Sequence, residues 1–182
     1  MEVLVLTASP RNKGNSLLLA EAFIKGASKA GHKVTCFDTT TKVIKGCIAC
    51  DACYLKGQPC VFNDDFNELA PLMEKASVIV LSTPLYWFTF PTQLKAALDK
   101  IYAFMLGRRK ISRKKCLLLA CGGEENIDIF DGLVRTYELM AGYLKWRNIG
   151  TILVPGMNEQ RDIEKTDALE KAEALGLKLA NL

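Results

Sequence analysis

Five short apolar runs of strand length, separated by stretches of helical periodicity, set the strongest limit on how this 182-residue chain can fold. They are EVLVLT (2–7), KVTCFD (33–38), SVIVLS (77–82), KCLLLAC (115–121) and GTILVP (150–155). A strand apolar at successive positions must be covered on both faces, which calls for a parallel sheet with helices on either side. Between the runs, Asn15 to Ala30 places Leu18, Ala22, Phe23 and Ala27 on one helical face, and Gly31 suits the stop. Pro91 fits a helix's first turn, after which Leu94, Ala97, Leu98, Ile101 and Met105 keep the spacing of one buried stripe. Further helices are expected over 65–76, 128–146 and 160–180. The length allows one well-buried domain, so the pattern predicts a single doubly wound α/β domain over 1–182, built on five strands.

In such a sheet a ligand sits outside the carboxyl ends of the strands, where the strand order reverses. After the first run comes TASPRNKGNS, Thr7 to Ser16, which matches neither GxGxxG nor a Walker A loop. It nevertheless offers hydroxyls at Ser9 and Ser16, a guanidinium at Arg11, an amide at Asn15, a turn-permitting Gly14 and then a helix N-terminus. Those groups suit a phosphate, and they equally suit a polar strand-to-helix turn capped by Asn15 or Ser16. No cysteine precedes Arg11, which disfavours a phosphatase that attacks with thiolate. After the third run, TPLYWFTFP offers three adjacent aromatics, Tyr86, Trp87 and Phe88, able to wall a flat heterocycle. The fourth run enters CGGEEN, where Gly122 and Gly123 let backbone approach a ligand closely. Three such loops on one sheet edge describe a site for a mononucleotide with a planar ring.

Several classes fall away. His32 is the only histidine and lies in a connecting turn, a poor basis for a zinc hydrolase or a Ser-His-Asp triad. The net charge of +4 is mild, and its densest run, RRKISRKK from Arg108 to Lys115, reads as a solvated loop ahead of an anion site. No aromatic interleaving or nucleic-acid motif accompanies it, so nucleic acid is not an expected partner. The opening MEVLVLTASPR breaks at Pro10 and lacks a leading basic run, arguing against a signal peptide or a membrane span. A soluble, cytoplasmic protein is expected.

Four of the seven cysteines, Cys47, Cys50, Cys53 and Cys60, fall in one irregular stretch of about 44–63, spaced C-x2-C-x2-C-x6-C. An irregular loop that long inside a small domain needs a reason. In a reducing compartment clustered thiols read as metal ligands or redox groups, and an odd total argues against full pairing. The spacing is a poor zinc ribbon and stands closer to the compact run that ligates a [4Fe-4S] cluster; zinc and free or redox-active thiols stay as alternatives. Asn63, Asp64 and Asp65 most simply cap the next helix. Cys36 and Cys116 fall within strand patterns and read as core, and Cys121 as core or ligand-facing.

SPRNKGNS, TPLYWFTFPTQLKAALDK and CGG, taken together, resemble the NAD(P)H-dependent FMN reductases of the flavodoxin-like superfamily, and within them the iron-sulfur flavoprotein branch. The resemblance runs from the first strand to the helix near Tyr102 and continues as fold order beyond it. It implies a flavodoxin-like sheet of order 2-1-3-4-5. It also implies FMN, with the phosphate at Ser9, Arg11, Gly14, Asn15 and Ser16. The isoalloxazine would meet Pro84, Leu85, Tyr86, Trp87 and Phe88, with Cys121, Gly122 and Gly123 near the ring. It further implies a cluster on the four-cysteine motif and a homodimer or homotetramer. The expected activity is that of an FMN-dependent oxidoreductase, taking hydride from NAD(P)H and passing electrons to a small acceptor, a quinone, a flavin or a cluster. Because the cofactor carries the chemistry, no catalytic side chain is expected. The alternative is a non-enzymatic flavin or iron-sulfur carrier or redox sensor, exchanging electrons with a redox protein.

Overall fold

Alternation along the three central strands sends successive apolar side chains to opposite sides of one sheet, and this determines where the helices settle. The computed structural model describes residues Met1–Leu182. Its strands are β1 (Glu2–Thr7), β2 (Lys33–Asp38), β3 (Val78–Pro84), β4 (Lys115–Cys121) and β5 (Arg147–Val154). All pair in parallel, in the order β2-β1-β3-β4-β5. Leu4, Leu6, Ile79, Leu81, Leu118 and Ala120 point to one layer, made of α2 (Phe66–Lys75), α3 (Thr92–Asp99), α4 (Tyr102–Leu106) and α5 (Asp131–Tyr143). Val3, Val5, Val78, Val80, Leu117 and Leu119 point to the other, made of α1 (Asn15–Lys29) and α6 (Ala168–Lys178). Each fully buried Val or Leu of this kind contributes about 1.5–3 kcal/mol from its removal from water.

The two helices of the second layer cross at glycine. A Cβ on Gly26 would lie 2.0 Å from the Glu173 carbonyl oxygen, and one on Gly176 would lie 2.3 Å from that of Phe23. The helices therefore meet backbone to backbone. The α1 face turned inward is Leu19, Ala20, Phe23 and Ala27, with the expected Leu18 and Ala22 at its margin. No helix is long and apolar enough to cross a membrane.

Three expectations need correction. The stripe from Leu94 to Met105 is not one helix: α3 ends at Asp99, and Ile101 donates to the carbonyl of Leu98 in a tighter turn before α4 begins at Tyr102. The break turns Lys100 inward to Asp64 and turns Met105 outward, leaving it 45% exposed. Cys36 is exposed because β2 lies at the edge of the sheet. The basic run is only partly solvated, since buried Lys114 donates to the carbonyls of Glu74 and Ala76 at the end of α2, while Arg109 pairs with Glu74. The expected boundaries otherwise shift by a few residues at β3, β5 and most helix ends, and more at the helix expected over 160–180, where Asp162–Lys165 forms a separate tight turn, Thr166 is extended and α6 starts only at Ala168.

Candidate functional site

β1 lies between β2 and β3, so chain connections leave it in opposite directions and a crevice opens at the carboxyl ends of β1, β3 and β4. It encloses about 660 Å³ with its open mouth included. The loops singled out in the sequence meet there.

The first loop supplies Ser9, Arg11, Gly14, Asn15 and Ser16 to the wall. The Ser9 hydroxyl accepts from the Arg11 N–H at 3.3 Å, and the Gly14 N–H donates to the Arg11 carbonyl at 3.0 Å. A Cβ on Gly14 would stand 2.5 Å from Ser9 Oγ and 3.0 Å from the Arg11 carbonyl oxygen, so a larger residue would displace the serine hydroxyl from the turn. No side chain caps the start of α1, which leaves its first N–H groups to a ligand or water, with the positive end of the helix dipole behind them. Ser82 Oγ donates to the Ser16 carbonyl at 2.7 Å and ties that turn to β3. Asn15 lines the crevice, but its amide is used elsewhere: Nδ2 donates to the Glu159 carbonyl at 2.8 Å and Oδ1 accepts the Ile163 N–H at 3.2 Å.

From the β3 loop, Pro84, Leu85 and Tyr86 reach the same crevice. Trp87 and Phe88 do not; with Leu85, Gly123, Glu124 and Ile129 they line an adjoining hollow. Tyr86 and Thr89 exchange both backbone hydrogen bonds, and the two residues between them have φ of +45° and +63°. This is a two-residue turn in left-handed backbone, ordinarily the place of Asn and Gly, built here from Trp and Phe. It leaves Trp87 91% exposed. Strain at two bulky residues is a mark of functional loops.

The β4 loop adds Cys121, Gly122 and Gly123. Burial pushes the Cys121 thiol up to about 12, so it stays neutral and serves as wall rather than nucleophile. The sequence reading missed Met157 and Asn158, which come from the turn after β5. Gly156 holds φ of +72°, and the Met157 N–H donates to the Gly122 carbonyl at 2.8 Å, laying this turn against the β4 loop. The signal was present as VPGMN, a Pro-Gly turn directly after an apolar run at the same sheet edge.

Cys47, Cys50, Cys53 and Cys60 line a second cavity of about 380 Å³, open mouth included, against α3 and α4. Ile48, Ala49, Val61, Phe62 and Ala103 make its walls largely apolar. Ala49, Asp51 and Tyr54 hold positive φ, folding the backbone back between the cysteines. Tyr102 fastens the loop by donating to Asp51 at 3.0 Å, which raises the tyrosine above its usual range. Burial, and then the other three thiols, raise the Cys53 thiol. The donors face one space, yet no three His, Cys, Asp or Glu side chains are grouped tightly enough to hold a single metal ion.

The chain is similar to known proteins. Against an "Iron-sulfur flavoprotein" of Archaeoglobus fulgidus the chain is 28% identical over 191 residues, covering 99% of this chain and 79% of that protein. A Methanocaldococcus jannaschii protein of the same description is 28% identical over 127 residues, 69% of this chain and 64% of its own length. A solved NAD(P)H:quinone oxidoreductase from Methanothermobacter marburgensis superposes with a TM-score of 0.74 at 24% identity, over 98% of this chain and 96% of that one, and establishes the shared flavodoxin-like fold. The sequence pattern described as NADPH-dependent FMN reductase matches residues 1–134, a span that contains β1 to β4, the crevice loops that follow β1, β3 and β4, and all four clustered cysteines. The chain therefore belongs to the NADPH-dependent FMN reductase family of oxidoreductases.

Proposed function

We propose that this protein is an FMN-dependent oxidoreductase that takes hydride from NAD(P)H and delivers electrons to a small acceptor, a quinone, a flavin or an iron-sulfur cluster. The observation that carries the reading is the union, in one crevice, of a polar turn before an uncapped helix N-terminus with the apolar and glycine loops after β3 and β4. Bound FMN supplies the hydride and electron chemistry; the chain supplies position. Arg11 and the first N–H groups of α1 neutralise the phosphate, while Ser9 holds the turn in shape. Pro84, Leu85 and Tyr86, opposite the backbone of Cys121, Gly122 and Gly123, fix the ring and exclude water from it. Trp87, Phe88 and Glu124 shape the adjoining hollow, where a flat donor or acceptor would lie beside the ring. Asn15 acts at one remove, by holding the loop that carries Met157 and Asn158.

The four thiols fit a [4Fe-4S] cluster better than zinc. Their C-x2-C-x2-C-x6-C spacing is a poor zinc ribbon and close to the compact run that ligates such a cluster, and all four line one largely apolar cavity. A homodimer or homotetramer is part of the same reading, with Trp87, 91% exposed, as the side chain a partner subunit would cover.

The test is an ultraviolet-visible spectrum of anaerobically purified protein before and after NADH or NADPH, with iron and acid-labile sulfide assayed on the same sample. Flavin bands that bleach on nicotinamide addition are expected, with roughly four irons per chain. Protein that binds no added FMN would overturn the reading. Flavin that yields only to dithionite would replace the reductase by an electron carrier.

A further inference from the structure

The least exposed ion pair of the chain stands at the wall of the thiol cavity. Lys100 Nζ lies 2.5 Å from Asp64 Oδ2, and each side chain is 2% exposed. The same Oδ2 accepts the Lys45 N–H at 3.0 Å, and Oδ1 accepts the Phe66 N–H at 3.1 Å. Lys45 precedes Cys47 by two residues and Asp64 follows Cys60 by four, so one carboxylate joins both ends of the cysteine loop and the first turn of α2 to Lys100. Lys100 sits where α3 breaks from α4, and its ammonium lies 5.2 and 5.4 Å from the ring centres of Phe62 and Phe66. It is the one cation among the cavity's lining residues. A buried pair is weak evidence for stability, since apolar packing often does as well. Its placement is the informative feature: four thiolates in an apolar hollow concentrate negative charge, and the wall answers with a neutral ion pair of which Lys100, and not Asp64, lines the cavity.

We propose that Lys100 is a positioning residue of the four-cysteine site: through Asp64 it closes the loop at both ends, and its ammonium favours the more negative redox state of the iron-sulfur group held there. The inference rests on the reading of the four thiols as cluster ligands. Reduction adds one electron to the cavity, with no bond made or broken in the protein, and a neighbouring cation stabilises the added charge. Removing that cation lowers the reduction potential.

The experiment is an anaerobic redox titration of the intact protein, followed by electron paramagnetic resonance, on wild type, Lys100→Arg, Lys100→Met and the double variant Asp64→Asn with Lys100→Met. Lys100→Met is expected to show at least a tenfold lower reduced-to-oxidised ratio at the wild-type midpoint, about 59 mV for a one-electron couple, the double variant, which removes one charge of each sign, a smaller shift in the same direction, and Lys100→Arg a ratio within twofold of wild type. A role in packing alone would lower iron content and leave the potential of the retained clusters in place, and an unmoved potential in both variants overturns the proposal. The double variant leaves no lone buried charge, so it replaces Lys100→Met if that protein does not fold; loss of fold in both would assign the pair to core stability and overturn the proposal as well. Wild type with less than one iron per chain would defeat the cluster reading itself. The loop closure is then judged on iron-free protein by hydrogen exchange over residues 45–60, where Lys100→Met is expected to exchange at least tenfold faster, and equal exchange overturns it.

Discussion

Asn15 and Glu159, 144 residues apart in sequence, are joined by a 2.8 Å hydrogen bond from the Asn15 amide to the Glu159 carbonyl, and the Asn15 oxygen takes the Ile163 N–H beside it. One buried side chain thus couples the turn before α1 to the segment after β5 that carries Met157 and Asn158 into the crevice. Asn15→Ala leaves a carbonyl and an N–H without their partner, each worth about 1–3 kcal/mol where water cannot replace it. Lower stability in urea unfolding is expected, together with weaker FMN binding in a fluorescence titration. Normal FMN affinity in a destabilised variant would confine Asn15 to the fold.

Arg11 is exposed, reaches the crevice and has no ion-pair partner in the chain, in contrast to Arg109 and Arg161. A hydrogen bond to a charged group contributes about 1.5–3 kcal/mol, or about ten- to a hundredfold in affinity. Arg11→Ala is expected to weaken FMN binding by that factor and to leave riboflavin, which lacks the phosphate, unaffected. Titration of both flavins against both proteins checks this. Equal losses for the two would remove the phosphate from Arg11.

Much of the fold was legible because its signals are local. The runs at 2–7 and 115–121 are strands with those bounds, since buried parallel strands are apolar on both faces and need no partner to be recognised, and the edge run at 33–38 keeps its bounds although only Phe37 is buried in it. Ser9, Arg11, Gly14 and the Gly122–Gly123 pair were legible for the same reason: turn chemistry and helix starts are written within a few residues. What escaped depends on distance. Met105 kept helical spacing in sequence but turned outward, because Lys100 is drawn to Asp64, 36 residues away. Asn15 looked like a ligand or a cap until its partners at Glu159 and Ile163 were in view. Trp87 and Phe88 were placed with the ring because aromatics at a sheet edge suit one, and only the positive φ of both residues shows that the turn carries them into the next hollow.

That turn makes a prediction of opposite sign for stability and function. Two bulky residues in left-handed backbone cost about 1–3 kcal/mol each, and Trp87 recovers little by burial. Replacing Trp87 with Asn and Phe88 with Gly supplies the residues this turn type prefers. The double variant is expected to melt several degrees higher than wild type while reducing electron acceptors more slowly, with FMN still bound. Thermal unfolding and steady-state turnover, measured on one preparation, check the two halves. A variant that melts lower, or that turns over as fast as wild type, would mean the aromatics are held for packing.

Alkaline stability follows from Cys121. Its thiol ionises at about 12 in the folded chain against an ordinary 9.0, because burial penalises the thiolate. Below pH 9 both states carry the proton and the contribution is fully present. Between 9 and 12 the unfolded chain loses its proton while the folded chain keeps it, so stability falls as pH rises, at up to about 1.4 kcal/mol per pH unit from this one group. Buried Cys116 and Tyr137 are displaced in the same direction, so the wild-type decline has more than one source. Cys121→Ala removes only the first, and its stability, measured by urea unfolding under reductant from pH 8 to 10.5, is expected to fall less steeply above pH 9. Parallel curves for the two proteins would mean that the Cys121 thiol titrates near its ordinary range, and that water reaches the floor of the crevice.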